Sequence, residues 1–348
     1  MSNFRVHYPV HYIALGPFAS ASGTEIHGLQ SVSMNTSYNV EQVFELGQLE
    51  IYENIENVPD VEVTVNKVLD GHPLIYHLAT PLATQNTLVN RSNQRCDAFL
   101  SIFSDAQDNS SGVPIVQAYC SGLYVNSLNY TLPVEGNCTE EVSLIGNDKI
   151  WISSSGTVWH GKVGYAFNGH FTTGTDSPFG SERVQRRQMV KMGPAPTGSI
   201  WPTQIPGMTT VAGSGFNLTS AGQFGAHLQD VTISVSLNRE DLFELGRRKP
   251  YYRYASFPTS VDCTINLTAG GSLPGDMIEA DSDAENLTDE AIVIKLEDST
   301  IFDLGPRNKL LSVTYSGGDS SGGVATISYN YQNFNRLNVT SDNDPASL

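Results

Sequence analysis

Leu29-Gln-Ser-Val-Ser-Met-Asn-Thr-Ser-Tyr-Asn-Val-Glu-Gln-Val-Phe-Glu-Leu-Gly47 is written a second time, 199 residues later. There it reads Leu228-Gln-Asp-Val-Thr-Ile-Ser-Val-Ser-Leu-Asn-Arg-Glu-Asp-Leu-Phe-Glu-Leu-Gly246. Across 28–59 against 227–258, 12 of 32 positions are identical without a gap, and the contiguous Phe-Glu-Leu-Gly makes chance a poor explanation. After a one-residue insertion, Val61-Glu-Val-Thr-Val-Asn66 faces Val261-Asp-Cys-Thr-Ile-Asn266. A weaker echo joins Tyr124–Tyr130 to Leu310–Tyr315. Two copies about 200 residues apart describe a duplicated domain, not a solenoid.

The period inside the copies is 2, which is the signature of strands. Val32 and Met34 alternate with Ser31, Ser33, Asn35 and Ser37. Val231, Ile233 and Val235 alternate with Asp230, Thr232, Ser234 and Ser236. Val61, Val63 and Val65 alternate with Glu62, Thr64 and Asn66, and the twin stretch from Val261 to Leu267 repeats the pattern. Each copy therefore offers a sheet with one buried face and one wet, acid-bearing face. Further strands are expected at Tyr124–Leu132, Glu141–Ile145, Ala291–Leu296, Leu310–Tyr315 and Val324–Tyr331. A short helical turn is expected within Glu41–Gly47 and Glu240–Gly246, with glycine as its stop.

Outward from the repeat, the chain divides into an N-terminal arm (1–27), a first domain (28–151), a Gly/Pro-rich connector and arm (152–226), a second domain (227–337) and a C-terminal tail (338–348). The connector holds Trp159 and Trp201, with Trp151 at its edge. Isolated aromatics in such chain suit packing on a neighbouring subunit better than a core of their own. The fold class is all-β with minor α: two tandem β-sandwich or half-barrel domains plus extended arms and loops.

Composition agrees. Of 348 residues, 39% are hydrophobic and only 16% are charged, which excludes collagen, coiled coil and a wholly disordered chain. The net charge of −17 argues against a surface that grips nucleic acid or an anionic membrane. The charge is uneven: 183–253 carries nine basic and four acidic residues between two acidic flanks. A basic middle between acidic ends invites pairing between subunits, with a solvated basic loop as the alternative. No run of about 18 apolar residues is present, and the N-terminus lacks a signal-peptide pattern. The nine N-x-[S/T] sequons are what a Ser/Thr/Asn-rich β chain produces by chance. Cys96, Cys120, Cys138 and Cys263 match no zinc spacing; Cys263 reads as a small core residue and the other three as free thiols, one disulfide among them in an oxidising setting being the alternative.

Catalytic readings fail on context. Gly318-Asp-Ser-Ser-Gly322 fits G-x-S-x-G, but strand-like sequence on both sides denies it the strand-turn-helix of a nucleophile elbow. Asp281-Ser-Asp-Ala-Glu-Asn286 starts like a calcium loop, yet Asn286 and Ile292 stand where glycine and a bidentate glutamate belong. Pro9 separates His7 from His11, and His72 and His77 lack a third ligand. Glu45 and Glu244 recur in both copies, which suits a structural role better than a glycosidase pair. The reading is of a non-enzyme with no cofactor and no metal.

Asn238-Arg-Glu-Asp-Leu-Phe-Glu-Leu-Gly-Arg-Arg-Lys-Pro-Tyr-Tyr-Arg-Tyr-Ala-Ser-Phe-Pro258 with the strand to Leu267, and Asn308–Asp319 through Phe334-Asn335, resemble virion structural proteins of tailed bacteriophages. Within that group the match is to the major tail tube protein. The resemblance implies sixfold rings whose inner strands close into one barrel and whose rings stack into a tube for DNA ejection. For a chain with two units it implies a homotrimer with pseudo-sixfold symmetry. It implies partners as well: the chain itself, sheath, tail terminator, baseplate or tail-tip proteins, and the tape measure protein and DNA transiently in the lumen. The location implied is the virion tail, after synthesis in the host cytoplasm, with no membrane involved. An acidic lumen would repel DNA and let it slide. Glu62, Asp230 and Asp262, on polar strand faces, are the lumen candidates, the outer solvent face being their alternative. Arg247, Arg248, Arg253, Tyr251, Tyr252, Trp201, Phe44 and Phe243 are the inter-subunit candidates. Other ring-forming virion parts (tail terminator, distal tail protein) are the next reading. A carbohydrate-binding or adhesion module presenting Tyr251, Tyr252 and Tyr254 is the third.

Overall fold

The alternating stretches become antiparallel strands. The computed structural model describes residues 11–20, 23–103, 115–153, 158–160, 184–191, 227–268, 289–317, 325–342 and 344. The first half of the chain forms β1 (His11–Pro17), β2 (Thr24–Glu25), β3 (Leu29–Ser37), β4 (Val40–Phe44), β5 (Ile51–Glu56), β6 (Asp60–Val68), β7 (Cys96–Ile102), β8 (Val116–Pro133), β9 (Thr139–Gly146), β10 (Asp148–Ser153) and β11 (Val158–His160). The second half forms β12 (Val190–Lys191), β13 (His227–Ser236), β14 (Arg239–Leu242), β15 (Tyr252–Ala255), β16 (Ser260–Thr268), β17 (Val293–Leu296), β18 (Ile301–Asp303), β19 (Lys309–Ser316), β20 (Thr326–Phe334) and β21 (Asn338–Thr340). Two short helices, α1 (Ile75–Ala79) and α2 (Leu88–Ser92), lie between β6 and β7. The fold is all-β with minor α, as the sequence pattern implies.

Eight strands run edge to edge in the order β3-β6-β9-β8-β13-β16-β20-β19. The first four come from copy one and the last four from copy two, and each set is ordered first, second, fourth, third along the chain. The join is β8 against β13, where Ile233 faces Tyr130 and Ser234 faces Asn129. The copies match in register down to their irregularities. The β3–β6 ladder skips Gln30 between Leu29 and Ser31, and β13–β16 skips Gln229 between Leu228 and Asp230. The β8–β9 ladder shifts between Val125 and Ser127, and β19–β20 shifts between Leu310 and Ser312. Register therefore assigns Ser127 to Ser312, Asn129 to Thr314 and Tyr130 to Tyr315.

One face of this sheet carries the core. Val61, Val63, Val65, Val231, Ile233, Val235, Val261 and Ile265 are all buried in a single cluster shared by both copies. Burying side chains of this size is worth about 1.5–3 kcal/mol each. Over copy one the cover is α1 with the sheet of β1, β7 and the first half of β8; the small sheet β12-β17-β18-β21 adds Ile294, Leu296, Phe302 and Val339 to the same cluster, with the Phe302 ring 4.6 Å from that of Tyr130 near the join. β1, from the stretch read as an arm, pairs along its whole length with β7. β8 serves two sheets, and Gly122 at its change of direction has φ +68, which an L side chain rarely adopts. Asp97 holds that corner, accepting from Gly122 N (2.8 Å) and from the Tyr119 hydroxyl (2.6 Å).

The helical turns expected at Glu41–Gly47 and Glu240–Gly246 are not helical. These segments form β-hairpins, β4–β5 and β14–β15. Gly47 (φ 92) and Gly246 (φ 88) supply the left-handed residue of the hairpin loop rather than a helix stop.

Two buried polar clusters fix the cover. Glu140 replaces a helix cap, accepting from Ile75 N (2.7 Å), Tyr76 N (3.1 Å) and the Tyr130 hydroxyl (3.1 Å) at the start of α1. Burial raises its pKa above the ordinary carboxylate value. The second cluster ties down the C-terminal segment. Arg91 is ion-paired with Asp344, and His77 Nε2 lies 3.1 Å from the Val339 carbonyl and 3.8 Å from Asp344. Burial, and then the Arg91 cation, lower the His77 pKa to about 4. The unfolded chain takes up a proton near pH 6.5, whereas the folded chain resists until about pH 4. The His77 contribution is thus complete above pH 6.5 and is lost as pH falls through that window, at a cost of roughly 3 kcal/mol. Urea unfolding at pH 7 and pH 4.5 should show this loss in the native chain and a flatter pH profile in His77→Phe.

Candidate functional site

The face opposite the core is polar along most of its length, apart from Ile145 and the buried Tyr124 where the β14–β15 hairpin seats. Its rows run through small polar side chains, for example Ser33–Thr64–Ser143–Ser127 across copy one and Thr264–Asn330–Ser312 across copy two. Strict alternation puts Glu62, Asp230 and Asp262 on this one face, with Glu141 as a fourth acid. Each carboxylate is held by a neutral donor on the next strand. Ser143 Oγ donates to Glu62 (2.8 Å), Asn266 Nδ2 to Asp230 (2.7 Å), Gln332 Nε2 to Asp262 (2.7 Å) and Asn66 Nδ2 to Glu141 (3.3 Å). Neutral donors orient the acids and leave the negative charge of the face standing.

The two outermost strands are open. Among the described residues β3 bonds only to β6, and β19 only to β20. Their twins, β13 and β8, are bonded on both sides, and to each other across the join. Exposure follows this difference. Tyr38 is 73% exposed where its twin Leu237 is 0%. Tyr315 is 51% exposed where its twin Tyr130 is 0%.

The hairpins differ in the same way. β14–β15 reaches across the join and seats on copy one. Arg239 donates to the Val125 carbonyl (2.7 Å) and the Ser92 carbonyl (2.6 Å), and its guanidinium lies 4.8 Å from the Tyr124 ring. Arg253 is buried between Asp60 and Asp241. Tyr252 donates to Asn93 (3.2 Å) and meets Tyr124 edge-on, and Lys249 pairs with Asp148 (2.9 Å). Arg248 donates to the Glu56 carbonyl (2.7 Å). Among the described residues the β4–β5 hairpin has no comparable set of side-chain contacts beyond that Arg248 bond, and Tyr38, Val40, Phe44, Leu46, Leu49, Ile51, Tyr52 and Ile55 stand exposed.

Of the residues named from sequence as inter-subunit candidates, Arg253, Arg248 and Tyr252 are thus engaged within the chain. Arg247 pairs with Glu244 at the hairpin turn (3.0 Å). Phe44, Phe243 and Tyr251 are exposed, beside the fully exposed Leu46, Leu49 and Leu245 at the two tips. Trp201, the Asp281–Asn286 loop and the Gly318–Gly322 motif lie outside the described residues. Glu140, Asp97 and the Arg91–Asp344 pair were not signalled by sequence, because each joins residues far apart with no shared local pattern. The four cysteines are all buried, and burial pushes the Cys120, Cys138 and Cys263 thiols up to about 12. Among the described residues no group of three or more His, Cys, Asp or Glu is placed to hold a metal, and no helix is long and apolar enough to cross a membrane.

No protein-family model matches the sequence, and no curated protein matches it. Solved structures give partial likenesses. The tube-terminating cap of the anti-feeding prophage aligns with 44% of this chain and 95% of its own, at 12% identity and a TM-score of 0.33. A chain of the sheath/tube terminator of the PVC extracellular contractile injection system aligns with 44% of this chain and 100% of its own, at 13% identity and a TM-score of 0.32. A chain of the PVC sheath–tube complex gives 43% and 93%, at 13% identity and 0.33.

Proposed function

We propose that the chain is a structural tail tube protein that builds rings of three copies, stacked into a conduit for DNA. One observation carries this reading: the two open edges are the twins of the two strands already joined inside the chain. β3 of one copy can meet β19 of the next as β13 meets β8. The contact is head-to-tail, so it uses both edges and generates a ring if the rotation closes. Closure removes the unpaired main-chain groups that make an exposed edge a liability. Each chain supplies two four-stranded units, so three chains supply the six units that the resemblance to tail tube proteins implies.

The layers support the same assignment of inside and outside. The core, α1 and the small sheet thicken one face, and that bulk suits the outer circumference. The wet face then lines the lumen with Glu62, Glu141, Asp230 and Asp262. A negative lining repels the phosphate backbone and favours sliding over binding. The apolar tips at Leu46 and Leu245, repeated twice per chain and six times per ring, suit contact with the next ring.

Transfer of the internal register specifies the joint: Asn35 of one chain opposite Thr314 of the next. In Asn35→Cys/Thr314→Cys, oxidation should give covalent species that stop at three chains on a denaturing gel, the native cysteines being buried. Absence of intermolecular bonds in assembled material, or species that stop at two chains, would overturn the ring. The lining has its own test. Tubes of Glu62→Lys/Asp230→Lys/Asp262→Lys should retain duplex DNA in a nuclease-protected, salt-sensitive form, whereas native tubes should not. Equal protection by both would place these residues elsewhere.

A further inference from the structure

The two hairpins are twins in sequence position and opposites in charge. Residues 238–256 carry five basic and three acidic side chains, and residues 39–57 carry five acidic and none basic. The basic hairpin already has its seat on copy one, through Arg253 on Asp60 and Lys249 on Asp148. The acidic hairpin, β4–β5, is exposed, and among the described residues its acidic side chains have no ion-pair partner on either copy; Arg248 reaches only the main-chain carbonyls of Glu56 and Asn57.

We infer that the acidic hairpin seats on copy two of a second chain, and that an ion pair between Glu53 of one chain and Lys309 of the next selects that joint. The inference rests on the ring reading above and adds its specificity. The register fixes the partners without adjustable choice. Glu53 is the twin of Tyr252 and Glu50 of Lys249, at the offset of 199 that aligns the hairpins. On the receiving side Lys309 is the twin of Tyr124, since Tyr124 faces Ile145 and Lys309 faces Gln332, both at matching positions of the ladders. The edge-on Tyr252–Tyr124 contact inside the chain therefore becomes Glu53 opposite Lys309 between chains.

The rest of the seat changes sign with it. Asp60 is replaced by Ser260 and Asp148 by Asn335, so the two acids that hold the basic hairpin have no counterparts on copy two. Lys309 is 48% exposed and is held in place by Asp289 (3.0 Å), and Arg307 and Arg336 are exposed close by in sequence. An acidic hairpin meets a receiving face that lacks the two acids of the other seat and carries Lys309, half exposed in its pair with Asp289. The basic hairpin would there lose the ion pairs that Arg253 and Lys249 make with Asp60 and Asp148. Opposite charge on the two joints thus keeps each hairpin on its own seat and keeps the copies in head-to-tail order. Tyr38, exposed at the base of the acidic hairpin, is covered in the same step, as Leu237 is within the chain.

The test is a charge swap read by sedimentation velocity over a concentration series. Glu53→Lys, on an exposed hairpin where folding is not at stake, should raise the ring-forming concentration roughly tenfold or more, about 1.4 kcal/mol or above. Lys309→Glu should do the same, and the double variant should return towards the native value. Native assembly by Glu53→Lys, or no recovery in the double variant, would overturn the ion pair. The crosslink of the Asn35→Cys/Thr314→Cys variant, run in parallel, separates the two claims. If it forms while the swap has no effect, the ring stands and the pairing falls; if it never forms, both fall.

Discussion

The antiparallel seam between β8 and β13 is the constraint on which the rest of the molecule depends. A strand's main-chain donors and acceptors must be paired on both sides or left to water. The chain solves this once by laying its second copy against its first. The solution has a cost of form: it consumes one edge of each copy and, among the described residues, leaves the other edge of each unpaired. In the ring proposed above, a duplicated sheet joined this way is an open segment of a larger sheet, its two ends being the twins of the two strands joined in its middle.

The core and the wet face follow from the same seam. Because the eight strands keep one register of alternation across it, the valines and isoleucines of both copies fall on one side and form one cluster. The polar residues fall on the other, and with them four carboxylates oriented by neutral amides and hydroxyls. The cover then fills in around the hydrophobic side with α1, the β1–β7 sheet and the small sheet of β12, β17, β18 and β21. Buried charge is used sparingly there, in Glu140 at the start of α1 and in Arg91 with Asp344, where it fixes the ends of segments.

Much of the eight-stranded sheet was legible in the sequence, because period-2 alternation survives in β3, β6, β13 and β16 and the repeat of 28–59 in 227–258 anchors the register; β1, β7 and the first half of β8, buried without alternation, were not. The acids of the wet face were legible for the same reason: Glu62, Asp230 and Asp262 sit at the polar beat of their strands. The hairpins were not. Glu41–Gly47 carries too few residues to distinguish a helical turn from a strand and turn, and the deciding property, a positive φ at Gly47, belongs to either. The seat of the basic hairpin was not legible either. Arg253 was visible as a charge, but its partners Asp60 and Asp241 come from a strand almost 200 residues away and from its own hairpin. The same distance hides Asp97 and Glu140, whose meaning exists only once α1 and the corner at Gly122 are in place.

The central claim is that the open edges of β3 and β19 close on each other. Electron microscopy of the purified chain, with averaged end-on views, addresses it most directly. The account predicts rings with an open centre, three chains in each, with six similar lobes. Single chains that keep both edges free in concentrated solution, or closed dimers joined through two identical edges, would contradict it.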